Sequence, residues 1–137
     1  MKDILVLGMG KVGSLVGTLL SKNFNVRGLD QNNPHYNYAL PFETIRADVS
    51  NIKTMKSIMK DYDAVVSALP FYLNKNIAQI SHDLKLHYFD LTEDVETTKY
   101  IQKLSKTSER IMAPQCGLAP GIIGIIGSNL AKDFDKL

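Results

Sequence analysis

Residues 4–20, ILVLGMGKVGSLVGTLL, run an apolar segment into three glycines spaced G-x-G-x-x-G and then resume as an apolar stripe. Nothing else in the chain restricts its fold as tightly. Ile4–Leu7 is a near-continuous apolar run, as expected of a strand buried on both faces. Beyond the glycines, Val12, Leu15, Val16, Leu19 and Leu20 fall at i, i+3, i+4, i+7 and i+8, one stripe of an amphipathic helix. A strand that turns through glycines into a helix is the start of a βαβ unit. This run is not expected to act as a secretory leader, because Asp3 stands where a positive segment is needed and Gly8, Lys11 and Gly13 interrupt the apolar run. No apolar stretch approaches the roughly 18 residues of a membrane helix.

The same alternation continues to the end. Asn25–Asp30, Thr44–Val49, Asp63–Ala68, His87–Leu91 and Arg110–Pro114 read as further strands. Ser50 is the expected N-cap of a helix turning Ile52, Met55 and Met59 inward, and Thr92 that of a helix carrying Val95, Ile101 and Leu104. Leu73, Ile77, Ile80 and Leu84 mark a helix between them. The segment GIIGIIGSNLA near the end is expected to be helical despite its glycines. Gln31–Glu43 has two prolines, three asparagines and no stripe, and is expected to be a loop or one short turn. Strands alternating with helices predict an α/β domain: a doubly wound parallel sheet of about six strands with helices on both faces.

Composition narrows the setting. The 137 residues suffice for one domain, expected to span 1–137, and 45% hydrophobic with 22% charged content suits a soluble globular chain. A net charge of +2 offers no basis for binding nucleic acid or an anionic membrane. One cysteine excludes an internal disulfide and suits a reducing, cytoplasmic setting. His35, His82 and His87 share no ligand spacing with each other or with Cys116, so no metal site is expected.

Gly8-Met9-Gly10-Lys11-Val12-Gly13 has a mechanical reading in this context. Gly8 permits the tight turn, Gly10 lets backbone amides approach a pyrophosphate, and Gly13 lets the helix lie close to the strand. The helix N-terminus then offers N–H groups and partial positive charge to the phosphates. Asp30, ending the second strand, is placed to accept hydrogen bonds from the adenosine ribose hydroxyls. With no arginine or lysine among Gln31-Asn32-Asn33, this favours NAD over NADP. By analogy with such sheets, Asp48 and Val49 end the third strand near the adenine, and Ser67-Ala68-Leu69-Pro70 end the fourth beside the cofactor path. Asp90 shares a strand face with Tyr88 and is open to two readings, orienting the substrate or nicotinamide end or capping the next helix. Cys116 lacks a sequence-adjacent histidine and reads as a free structural cysteine rather than a nucleophile.

In order along the chain, VLGMGKVGSLV, ADVS, AVVSALPFYLN, HYFDLTED and CGLAPGI resemble the N-terminal nucleotide-binding domain of saccharopine dehydrogenases. CGLAPGI is most similar to the L-lysine 6-dehydrogenase and saccharopine-reductase-like branch, and the resemblance runs from residue 4 to about 128. It implies an NAD(P)-dependent oxidoreductase acting on CH–NH donors, with a place in lysine metabolism. It places Gly8, Gly10, Lys11, Val12 and Gly13 in the phosphate loop and Asp30 at the ribose. Asp48-Val49 then lies near the adenine, Ala68, Leu69 and Pro70 line the cofactor, and Cys116-Gly117 lies near the nicotinamide.

In that family a second domain follows the GLAPG helix and supplies most of the substrate pocket. The sequence here ends at Leu137, where that domain is expected to begin. The chain is therefore expected to bind the dinucleotide and to be inactive alone, engaging an amino-acid-like substrate only with the second domain. It is read as an excised piece, a truncated product or a stand-alone module. Ile122–Ile126 is expected to pack on the sheet or to meet a partner, a homodimer included. The alternative is a nucleotide-sensing regulatory domain like those of potassium-transport systems. That reading explains the length but not SALPFYLN or CGLAPGI.

Overall fold

The structure, a computed structural model, describes residues 1–32 and 39–134. Strands β1 (Asp3–Leu7), β2 (Asn25–Asp30), β3 (Glu43–Arg46), β4 (Ala64–Ser67), β5 (His87–Asp90) and β6 (Met112–Ala113) pair in parallel, in the order β3-β2-β1-β4-β5-β6. Helices α1 (Lys11–Leu20), α2 (Ile52–Met59), α3 (Phe71–Asp83), α4 (Val95–Ser105) and α5 (Ile122–Leu130) intervene or follow. The strand order reverses between β1 and β4, so the connections leave the sheet on opposite faces there and open a crevice at the strands' C-terminal ends.

β1 shows why its sequence is continuous rather than alternating. Leu5 and Leu7 point into a core shared with Met55, Met59, Ile77, Ile80 and Ile101, whereas Ile4 and Val6 point into a second core with Met9 and Ala64. Both faces are covered, so all four residues are apolar.

Helix α1 reverses the face that its apolar stripe implies. Its buried residues are Gly13, Ser14 and Gly17, whereas Leu15 is 59% exposed and Val12 and Leu19 stand out beside it. The cause is close approach. A Cβ at Gly13 would overlap the Gly8 carbonyl oxygen, and one at Gly17 would press into the Phe42 ring. Only small side chains fit at these two approaches, so Val12, Leu15 and Leu19 are turned outward, while Leu20 at the end of the helix still packs against the second core. Helix α5 likewise buries none of its residues, and Ile125 is 71% exposed. The expectation that Ile122–Ile126 packs on the sheet is not met.

Several boundaries move for identifiable reasons. β3 ends at Arg46, not Val49, because the Asp48 carboxylate accepts the Ser50 N–H at 2.8 Å and turns the chain. The cap of α2 is Asn51 rather than Ser50, its side-chain oxygen accepting the Thr54 N–H at 3.1 Å. Thr92 does not cap α4 directly; its hydroxyl oxygen accepts the N–H of Asp94, the residue at the cap position. The sixth strand shrinks to two residues. Of the 31–43 connection, residues 33–38 lie outside the described residues; the flanking 31–32 and 39–42 carry no helix or strand. Among the described residues no helix is long and apolar enough to cross a membrane.

Candidate functional site

The reversal between β1 and β4 builds the site. Gly8 leaves β1 at φ +87°, a left-handed conformation that a side chain would strain. The turn is pinned on both sides: the Gly8 N–H donates to the Leu29 carbonyl and the Ala68 N–H to the Leu7 carbonyl, each at 2.8 Å. Gly13 then locks α1 against Gly8. Gly10 differs, because a Cβ there would meet no protein atom within 4 Å. Its side faces open space, as a surface for a ligand's close approach must.

Gly10 is also the N-cap of α1, with no side-chain cap and no acidic residue in the first turn. The first N–H groups of a helix lack intrahelical acceptors, so this end presents donors and partial positive charge to the space beside Gly10. Helix α3 begins on the same side after Pro70, again with no side-chain cap.

A cleft of about 430 Å³ lies over these ends. It is lined by Gly8, Gly10, Asp30, Asp48, Val49, Ala68, Leu69 and Pro70, with Gln31, Ser50, Tyr72 and Leu73 completing it. Eight residues singled out from the sequence thus converge on one cavity. Lys11, Val12 and Gly13 do not line it; Val12 is exposed, and Gly13 is buried beneath the turn. Gln31 and Ser50 directly follow the singled-out Asp30 and Val49, and Tyr72 and Leu73 fall within AVVSALPFYLN, but the sequence reading assigns none of the four to the cofactor.

Asp30 is built into the turn. One carboxylate oxygen accepts the Met9 N–H at 2.7 Å and the other the Asn32 N–H at 2.9 Å. Each oxygen keeps a further lone pair for a ligand hydroxyl. Asp48 is held below its usual carboxyl pKa, chiefly by the Ser50 N–H.

Asp90, Cys116 and Gly117 sit farther along the sheet's C-terminal edge and do not line the cleft. Asp90 is fully buried. It accepts hydrogen bonds from the Tyr88 hydroxyl at 2.8 Å, the Thr92 N–H at 3.0 Å and the Gln115 N–H at 3.2 Å. Burial raises its pKa, and these three donors oppose the rise. The face shared with Tyr88 is therefore a contact, and the carboxylate joins β5 to the chain after β6. Gln115 adopts φ +65°, and the Cys116 N–H donates to the Asp90 carbonyl at 2.7 Å. Nearby, the buried Ser67 hydroxyl donates to Asn74 at 2.7 Å, so this strand-end serine is committed internally. The Cys116 thiol is pushed up by desolvation and then by the Asp90 charge, which disfavours the thiolate a nucleophile requires. Among the described residues no cluster of three or more His, Cys, Asp or Glu could hold a metal ion.

Fold and cleft together define a dinucleotide-binding α/β domain of the Rossmann type. Residues 4–114 match the saccharopine dehydrogenase NADP binding domain, and the chain belongs to that family. Among solved structures, the apo saccharopine dehydrogenase (L-Glu forming) of Saccharomyces cerevisiae is similar with a TM-score of 0.83 at 20% identity. The match covers 97% of this chain and 31% of that one, so this chain spans about a third of its length. The apo scyllo-inositol dehydrogenase of Lactobacillus casei shares the fold at TM-score 0.63 and 15% identity, over 83% of this chain and 36% of that one. Uronate dehydrogenase of Agrobacterium tumefaciens does so at 0.53 and 16%, over 67% and 41%.

Proposed function

We propose that the cleft holds NAD in an extended pose, and that this domain serves an oxidoreductase acting on CH–NH donors. The observation that carries the reading is the convergence of Gly8, Gly10, Asp30, Asp48, Val49, Ala68, Leu69 and Pro70 on one cavity at the sheet's reversal point. The pyrophosphate lies against Gly8 and Gly10 at the N-terminus of α1, where Lys11, Val12 and Gly13 contribute main-chain donors. Asp30 accepts from the adenosine ribose, and its charge makes NAD the better cofactor. Asp48 and Val49 border the adenine, while Ala68, Leu69 and Pro70 line the path to the nicotinamide.

The nicotinamide, when bound, supplies the hydride acceptor. The chain's own residues hold and orient it: Asp90 fixes the segment carrying Cys116 and Gly117 on the substrate side. Hydride transfer also needs a positioned donor carbon and a site closed to water. A second domain supplies these in our reading, which is supported by the threefold greater length of the yeast relative and by the uncovered apolar face of α5. Alone, the chain binds cofactor without turnover. Titration of the purified chain with NADH, followed by nicotinamide fluorescence, tests this: saturable binding below millimolar concentration is expected, and none would overturn it.

A further inference from the structure

A charged group that no glycine motif marks stands beside the ribose acid. Arg46 is the last residue of β3 and lies opposite Asp30 in the β2–β3 register. Its Nε donates to the Gln31 carbonyl at 3.1 Å. The guanidinium is thereby fastened to the residue that follows Asp30, and Gln31 itself lines the cleft. Arg46 is exposed, and among the described residues it enters no ion pair, whereas Arg27 is paired with Glu43. The bond to Gln31 uses one of five N–H donors, and the terminal nitrogens keep their planar fork.

This arrangement matches a specific chemical group. A ribose held by Asp30 would bring its 2′ position to the end of β2, where Gln31 lines the cleft and Arg46, just outside the lining, is bonded to Gln31. A hydroxyl there needs only Asp30. A phosphomonoester there is repelled by Asp30 and needs a cation within reach, for which a guanidinium fork is the best-shaped side chain. We propose that Arg46 is the specificity residue that reads the ribose 2′-phosphate when the bound dinucleotide is NADP, the cofactor in the matched family's description. The basic residue missing after Asp30 in sequence is supplied by the neighbouring strand. This inference rests on the dinucleotide reading above.

The test titrates the purified chain and its Arg46→Ala and Arg46→Lys variants with NADH and NADPH. Because Arg46 is exposed, the variants are expected to stay folded, which circular dichroism checks. Arg46→Ala should weaken NADPH about tenfold and leave NADH within about twofold, as expected for one charge-assisted contact, with Arg46→Lys between. Raising salt from about 50 to about 500 mM should weaken NADPH more than NADH in the parent, and this difference should vanish in Arg46→Ala. Unchanged NADPH affinity in Arg46→Ala overturns the proposal. So does equal loss of both cofactors, which marks Arg46 as an adenine or scaffold contact. A parent that binds NADH but not NADPH overturns this inference alone; one that binds neither overturns the dinucleotide reading and this inference with it.

Discussion

The Asp30 carboxylate accepts the Met9 N–H at 2.7 Å, tying the end of β2 to the middle of the glycine turn after β1. The acid and the loop are therefore one unit. Replacing Asp30 with alanine removes a ligand acceptor and also frees a backbone donor inside the turn. The Asp30→Ala variant should lose about 1–2 kcal/mol of stability, for a charge-assisted hydrogen bond to backbone, and at least about tenfold in NADH affinity. Urea unfolding and NADH titration measure the two losses separately.

Two glycines of the same motif should behave in opposite ways. At Gly13 a methyl group collides with the Gly8 carbonyl, so Gly13→Ala should cost about 1–3 kcal/mol or more through forced displacement of the helix. At Gly10 the methyl meets no protein atom, so Gly10→Ala should remain folded yet bind NADH at least about tenfold more weakly, by intruding on the ligand. Thermal unfolding beside titration of both variants distinguishes a structural glycine from a binding one.

The buried carboxyl of Asp90 gives a pH signature. Burial raises its pKa above the ordinary 3.8, so the folded protein binds that proton more tightly than the unfolded chain. The stability it contributes is full below the ordinary value and is lost as pH rises through the raised, folded value. Asparagine can keep the two backbone N–H bonds and donate to the Tyr88 oxygen, but it does not titrate. The Asp90→Asn variant should therefore gain stability relative to the parent as pH climbs from about 4, and the difference should level off once Asp90 is ionised. Other carboxylates titrate alike in both proteins and cancel in the difference. Urea midpoints of the pair between about pH 3 and pH 8 provide the measurement.

The outward face of α1 leads to a further expectation. Leu15 and Leu19 are more exposed than half, whereas Ser14 is buried against the sheet. Leu15→Gln should change the stability of the chain by less than about 0.5 kcal/mol, as for a surface site. Ser14→Leu should destabilise it by about 1–3 kcal/mol through overpacking. If Leu15→Gln were the costly one, the helix would be turned the other way.

Legibility followed the kind of signal each residue carries. Burial on both faces makes β1 apolar throughout, and the glycine spacing marks the turn, so the sheet and the edge that carries the cleft are legible in the sequence. The face of α1 is not, because periodicity locates an apolar stripe and assumes that it points inward. The tight approach at Gly13 and Gly17 overrides that assumption. Asp48 and Val49 were identified but placed in the strand rather than in the turn made by the Asp48 side chain. That Arg46 stands opposite Asp30 is not legible locally, because it depends on strand pairing across 16 positions of sequence, which no local motif records. Leu73 reads from the sequence as one position of a helical stripe, and it reaches the cleft with Tyr72 because α3 starts at the rim.

Backbone amide mapping by NMR tests the central claim most directly. Adding NAD to the labelled chain should shift the amides of Gly8–Gly13, Asp30–Gln31, Asp48–Ser50 and Ala68–Leu73, and leave the opposite sheet edge around Lys60, Lys85 and Arg110 unmoved. Shifts confined to that opposite edge, or none at saturating NAD, would contradict the account.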